Sequence, residues 1–170
     1  MIYSTRKRHY DGMNVKLDTS DEQILTELLK NADRSMMEIA EELKMRRTTV
    51  LDRIRKLKAA GIIKGFTIIP DYAKLGFDIT AFIFLTMTPI PGVNDREIAR
   101  KVSNLEEVVE AHIITGDWDM ILEVRARTMQ EIASFAMDRL RSVEGVGKTM
   151  TCISSVPIKE HSNSIIHSKR

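Results

Sequence analysis

Arg46-Arg47-Thr48-Thr49-Val50-Leu51-Asp52-Arg53-Ile54-Arg55-Lys56-Leu57-Lys58 is the stretch whose reading decides the fold. Read as a helix, it puts Val50, Ile54 and Leu57 at i, i+4 and i+7, one narrow apolar stripe. At roughly 100° per residue, Thr48, Asp52, Arg55 and Ala59 point the other way, with Thr49, Arg53 and Lys56 on the flank. Such a helix, basic outside and apolar inside, suits a solvated surface or a nucleic-acid groove. The flanking sequence separates the two readings.

Upstream, a first helix is expected from about Thr19, with Ser20 as N-cap and Asp21 and Glu22 at the positive end of its dipole. Ile24, Leu25, Leu28 and Leu29 form its buried face, and Asn31-Ala32-Asp33-Arg34 ends it. Ser35 with Glu38 three residues on reads as a capping box for a second helix, about 36–44, burying Ile39, Ala40 and Leu43. A turn at Lys44-Met45 leads into the basic helix, about 46–60, and Gly61 is a natural residue to close it. Two short helices, a tight turn and a longer basic helix make the helix-turn-helix layout, in which the last helix enters the major groove. The β-branched run Ile62–Ile69 is expected as a strand or wing, and Pro70 through Gly76 as a hinge.

Charge follows the same division. Residues 43–64 hold eight Lys/Arg and one acid, whereas residues 17–42 hold two and eight. Basic charge concentrated on one short segment, and on the Arg6-Lys7-Arg8-His9 tail, is the footprint of a polyanion partner. The acids lie on the bracing helices and keep the positive field on one face. Residues 1–16 carry no periodicity and read as a flexible basic tail. Met13 is a candidate natural start, and a DNA-contacting arm is the rival reading of residues 1–12.

The second half has a different rhythm. Ile79–Thr88 reads as a strand apolar on both faces, residues 94–103 as a helix with Ile98, Ala99 and Val102 inward, and Val108–Thr115 as a strand. Gly116-Asp117-Trp118-Asp119 is a turn. From Met120 to Ala126 alternation is clean, with Met120, Leu122, Val124 and Ala126 on one side. Thr128 caps a helix to about Val143 that buries Ile132, Phe135, Ala136 and Leu140, and Lys148–Val156 is a last strand. Strand-helix-strand-strand-helix-strand is the split βαβ, ferredoxin-like sandwich. Its open sheet face, with Phe82, Phe84 and Ile153 assigned to it, does not suit water, so a sheet-to-sheet dimer is expected.

The expected fold class is therefore α+β: an N-terminal helix-turn-helix, winged-helix-like domain and a C-terminal ferredoxin-like βαββαβ sandwich. The divisions are a basic tail 1–16, a DNA-binding domain 17–64, a strand and hinge linker 65–77, a sandwich 78–158 for effector binding and oligomerisation, and a C-terminal tail 159–170.

Other chemistries find little support. No apolar run approaches the ~20 residues of a membrane span, and no apolar run follows the basic N-terminus as a secretory signal requires. Cys152 is the single cysteine, which excludes an internal disulfide or a cysteine-rich zinc site; alternating with Met150 and Ser154, it is expected to pack in the sheet. His9, His112, His161 and His167 share no metal-ligand spacing, and His112 with Glu110 reads as a surface or interface pair. No nucleophile–base pair or phosphate loop is present, so an enzyme of amino-acid metabolism is disfavoured. A cytoplasmic, nucleoid-associated protein without a metal or other cofactor is the expectation.

In the order and spacing of Leu17-Asp18…Asp21…Ile24-Leu25, Thr49-Val50…Arg53-Ile54…Leu57…Gly61-Ile62-Ile63 and Gly116-Asp117-Trp118-Asp119, the chain resembles the Lrp/AsnC, or feast/famine, transcriptional regulators of bacteria and archaea. The resemblance covers about residues 17–158. It implies a homodimer assembling into larger even-numbered oligomers, and a small effector such as an amino acid bound between sandwich domains of adjacent dimers. By position the effector contacts are Gly116, Asp117, Trp118 and Asp119, with Thr149 and Thr151. Carboxylates receive an α-ammonium, turn N–H groups an α-carboxylate, and threonine hydroxyls add polar contacts. On the residues alone the same turn reads as Asp side chains bonding their own backbone and a Trp at a subunit contact. Two departures matter, Lys44 where the family usually has Gly and Arg46 where it often has a capping Ser; Trp118 in place of the usual Tyr or Phe is a mild change.

The DNA-facing candidates are Arg46, Arg47, Thr48, Thr49, Asp52, Arg53, Arg55 and Lys56, for double-stranded DNA. Arg bonds guanine bidentately and Thr meets a base or the thymine methyl. Asp52 either accepts from cytosine N4 or pairs with a neighbouring Arg. The resemblance implies a sequence-specific regulator; the alternative is an architectural, largely sequence-neutral DNA organiser.

Overall fold

A computed structural model describes residues 16–158. The basic tail through residue 15, with its candidate start and arm, and the C-terminal tail 159–170, with His161 and His167, lie outside the described residues. The chain divides into two compact units, one ending at Ile68 and the other beginning at Ile69.

The first unit holds α1 (Thr19–Lys30), α2 (Met36–Glu42) and α3 (Arg47–Ala59). Its core is Ile24, Leu28, Ile39, Ala40, Val50 and Ile54. The stripe Val50, Ile54 and Leu57 is buried as expected. Each helix end has a local cause. Asp18, not Ser20, is the N-cap of α1: its carboxylate accepts from the Asp21 N–H, and Asp21 accepts from the Asp18 N–H. An ionised carboxylate suits the positive helix end better than a hydroxyl does. Ser35 and Glu38 form the expected capping box on α2. After α2, Lys44 adopts φ 53°, its N–H bonding Glu41 O while Met45 N–H bonds Ala40 O. This is a Schellman closure with lysine where glycine is the easy choice. Gly61, φ 72°, closes α3 in the same way, with Ile62 N–H on Leu57 O.

Glu27 is buried where Leu29 was expected on that face; Leu29 is only half-buried. Lys30 at 2.6 Å and Arg34 satisfy its carboxylate. The expected strand or wing at Ile62–Ile69 does not form: Ile62 and Ile63 lie in a bend, and residues 64–69 pair with no strand among the described residues. Ile68 is 83% exposed. β-branched residues favour extension, but a strand requires a partner edge. Phe66 lies under the Lys58 ammonium, 4.6 Å from the ring centre.

The second unit is β1 (Ile79–Met87), α4 (Asp95–Ser103), β2 (Val108–Ile113), β3 (Met120–Ala126), α5 (Met129–Ser134) and β4 (Val146–Ile153). The sheet is antiparallel in the order β2-β3-β1-β4. Ala81, Ile83 and Leu85 of β1 and the expected alternate residues of β3 face α4 and α5 in one core. Asn94 and Thr128 cap the two helices through their side-chain oxygens. α5 does not run on as an α-helix: Phe135–Leu140 is π-helical. Phe135, Ala136 and Leu140 still reach the core.

Residues 71–77 form a folded turn rather than bare linker. Leu75 N–H bonds Asp71 O, and Phe77 N–H bonds Tyr72 O. Arg125 lies 4.3 Å above the Tyr72 ring and Arg127 5.1 Å above Phe77.

Candidate nucleic-acid interface and effector turn

On α3, Thr48, Thr49, Asp52, Arg55 and Lys56 are exposed away from the buried stripe, and Arg46 and Arg47 are exposed at the N-terminal end of the helix. Arg46 sits at the N-cap and offers no side-chain cap. The first-turn N–H groups of α3 are therefore left to solvent or to an anion. Arg55 Nη1 lies 3.3 Å from Asp52 Oδ1, both side chains largely in solvent. Within the chain Asp52 thus has a neighbouring Arg beside it. Arg53 differs from the other cations. It is 28% exposed, and its Nη1 donates to Asp18 Oδ2 at 2.6 Å and Asp21 Oδ1 at 2.8 Å. These bonds raise the Arg53 pKa, Asp18 first and Asp21 second. Arg53 holds α3 against the first turn of α1. The sequence carried a signal for this: acids cluster at the start of α1, at Asp18, Asp21 and Glu22, and Arg53 lies on the flank of the buried stripe.

The turn after β2 is anchored by one carboxylate. Asp119 Oδ2 accepts from Met87 N–H at 2.6 Å, and Asp119 N–H donates to Leu85 O. Asp119 thus closes the end of β1 beside the irregularity in the β1–β4 register. Asp117 and Gly116 are exposed, Gly116 at φ 136°. Trp118 packs on Phe84, ring centres 6.1 Å apart, under the Lys148 ammonium at 5.4 Å.

Thr149 pairs with Leu85 and Thr151 with Ile83, so both share the helix-covered face. Trp118 and Phe84 are on the other face. Within one chain the sheet therefore stands between the turn and the two threonines. Thr149 Oγ1 accepts from Arg141 Nε and Nη2 at 3.4 and 3.3 Å, and Thr151 is exposed on edge strand β4. Arg141 and Lys148 are cations that the sequence reading passed over; both sit within two residues of a candidate threonine or at the end of the preceding helix.

The open face carries Phe82, Phe84, Ile121 and Met150, with Phe82 36% and Met150 40% exposed. Cys152 pairs with Phe82 and is exposed on this same face, not packed. Ile153 pairs with the buried Ala81, so it belongs to the helix-bearing face at the sheet edge and not to the open face. His112 Nε2 and Glu110 Oε2 are 3.5 Å apart, both exposed. Among the described residues no group of three or more His, Cys, Asp or Glu could hold a metal. None of their helices is long and apolar enough to cross a membrane.

Residues 17–64 match the winged helix-turn-helix DNA-binding model, and residues 80–164 match the Lrp/AsnC ligand-binding domain. The chain belongs to the Lrp/AsnC family. An uncharacterised HTH-type transcriptional regulator of Pyrococcus furiosus is 40% identical over 144 residues, covering 85% of this chain and 96% of that protein. The HTH-type transcriptional regulator FL11 of Pyrococcus horikoshii is 33% identical over 141 residues, covering 83% and 91%. Among solved structures, the transcriptional regulator NMB0573 of Neisseria meningitidis in its L-Met complex superposes with TM-score 0.80 at 25% identity, covering 87% and 96%. AsnC of E. coli gives 0.78 at 25%, covering 86% and 97%. The chain is thus an Lrp/AsnC-type helix-turn-helix transcriptional regulator with a ligand-binding domain, and not an enzyme.

Proposed function

We propose that the regulator reads a pseudo-palindromic duplex in the cytoplasm as a homodimer, and that a small effector tunes this through the Gly116–Asp119 turn. The observation that carries the reading is the outer surface of α3: Arg46, Arg47, Thr48, Thr49, Arg55 and Lys56 exposed together, backed by a buried stripe. A dimer places two such helices about one helical turn apart on DNA. The exposed Phe82–Met150 face supports sheet-to-sheet pairing, since contiguous apolar surface is seldom left to water. Higher even-numbered assemblies extend the same reading: with Thr149 and Thr151 across the sheet from Trp118, a pocket using both needs a second subunit. An amino acid suits a turn with a free-facing Asp117 carboxylate, and the L-Met complex of the Neisseria relative makes L-Met the first candidate.

Selection of duplexes from a random pool by the full-length protein, with and without L-Met and other amino acids, tests this. A preferred pseudo-palindrome whose occupancy shifts with one amino acid is expected. Similar affinity for all duplexes at fixed salt would favour the architectural reading instead.

A further inference from the structure

The second unit contains a cavity of about 710 Å³ that is separate from the Gly116–Asp119 turn. It lies where the 71–77 turn, the start of β2, the end of β3 and the helix after Thr128 meet. Its size falls in the roughly 300–1,000 Å³ range of small-molecule sites. The rings of Tyr72, Phe77 and Phe135 give it apolar walls. Guanidinium groups of Arg125 and Arg127 over Tyr72 and Phe77 hold two of these rings in place.

One polar group in the lining is unfinished. Glu107 Oε1 accepts from Arg139 Nη1 at 2.6 Å, whereas Oε2 is buried with no hydrogen-bond partner among the described residues. Buried polar atoms nearly always have a partner, so an exception points to a missing donor. Arg139 and Phe135 both come from the π-helical stretch, and π turns inside helices are frequent at functional sites. The lining acids Glu106, Glu107 and Glu131 outnumber the lining bases Arg125 and Arg139 by one. The missing donor is therefore better supplied by a cation than by a neutral or anionic group.

We propose that this cavity binds a small organic ammonium with an apolar body, its N–H donating to Glu107 Oε2 and its body lying against Tyr72, Phe77 and Phe135. The site is independent of the effector turn.

Calorimetry on the full-length protein with 2-phenylethylamine, 2-phenylethanol and 3-phenylpropionate tests it. The amine is expected to bind at least about tenfold more tightly than the other two. Glu107→Gln should weaken the amine by about tenfold or more, Ser134→Trp should fill the cavity and abolish binding, and Asp117→Asn should change nothing. Absence of amine binding, equal binding of the carboxylate, or binding unaltered in a folded Glu107→Gln or Ser134→Trp protein would overturn the proposal. If neither variant folds, magnetisation transfer from the bound amine's ring to the Tyr72 and Phe77 rings of the unaltered protein decides, and its absence counts against the site.

Discussion

Arg53 Nη1 lies 2.6 Å from Asp18 Oδ2, joining α3 to the capping residue of the first helix across thirty-five residues of chain. The contact gives one cation of α3 an internal task. Arg53→Ala is expected to lower the melting temperature of the N-terminal unit and to weaken all duplexes alike. The slope of log affinity against log salt should stay as in the parent, because no phosphate contact is removed. A slope reduced by about one would place Arg53 on a phosphate instead.

Arg47 and Arg55 are the complementary case. The Arg55–Asp52 pair is exposed on both sides and holds Arg55 weakly, since such pairs are worth about 0–1 kcal/mol. Arg47→Ala and Arg55→Ala should each leave the melting temperature and the assembly mass unchanged. Each should cost about 1–3 kcal/mol at one position of the site, or reduce the salt slope by about one. Electrophoretic titration at several salt concentrations distinguishes the two, and parental binding in both variants would remove α3 from the interface.

The two acids of the Gly116–Asp119 turn should separate cleanly. Asp119→Ala strips the Met87 N–H of its acceptor and should destabilise the sandwich by about 1–3 kcal/mol. Asp117→Ala should melt like the parent and lose the response to the effector. Thermal melts with and without amino acids check both. A parental melt for Asp119→Ala would deny it the anchoring role.

Phe84 sits at the centre of the open face, against Trp118. Phe84→Glu places a charge where sheet-to-sheet pairing needs apolar contact. Light scattering should report a smaller particle than the parent at equal concentration. An unchanged mass would mean that copies associate elsewhere.

Acid should loosen the N-terminal unit. The carboxyl of Asp18 is held below its usual range by Arg53 and then by the Asp21 N–H, and that of Glu27 by Lys30 first. The Ser35 N–H does the same for Glu38. Lowered values in the folded state mean that the unfolded chain binds more protons through the carboxylate range. Stability from these groups is complete above the ordinary values, about 4, and drains away as pH falls through the lowered ones. Helical signal followed from pH 6 to pH 2 should show this, and Arg53→Ala should begin to lose signal at higher pH.

Much of this was legible in the residues because the relevant signals are local. The stripe Val50-Ile54-Leu57, the box Ser35–Glu38 and the alternation from Met120 each depend on neighbours a few positions apart. Ile62–Ile69 was misread because extension is local but pairing is not. Cys152 and Ile153 were misplaced for a related reason: alternation assigns residues to opposite faces, and only the register against β1 says which face bears the helices. The π-helical stretch left no trace in the pattern, since Phe135, Ala136 and Leu140 reach the core in either helix type. The candidate effector residues could be named one by one, but only the sheet revealed that Trp118 and Thr149 lie on opposite sides of it.

Lys44 trades backbone comfort for charge. A left-handed lysine costs about 1 kcal/mol relative to glycine, yet it leaves an exposed ammonium two residues ahead of Arg46, at the mouth of the reading helix. A glycine there would make the bend easier and the molecule sturdier while thinning the attraction to a polyanion. The left-handed corner at Lys44 is thus also a place where sturdiness and attraction to a polyanion pull against each other.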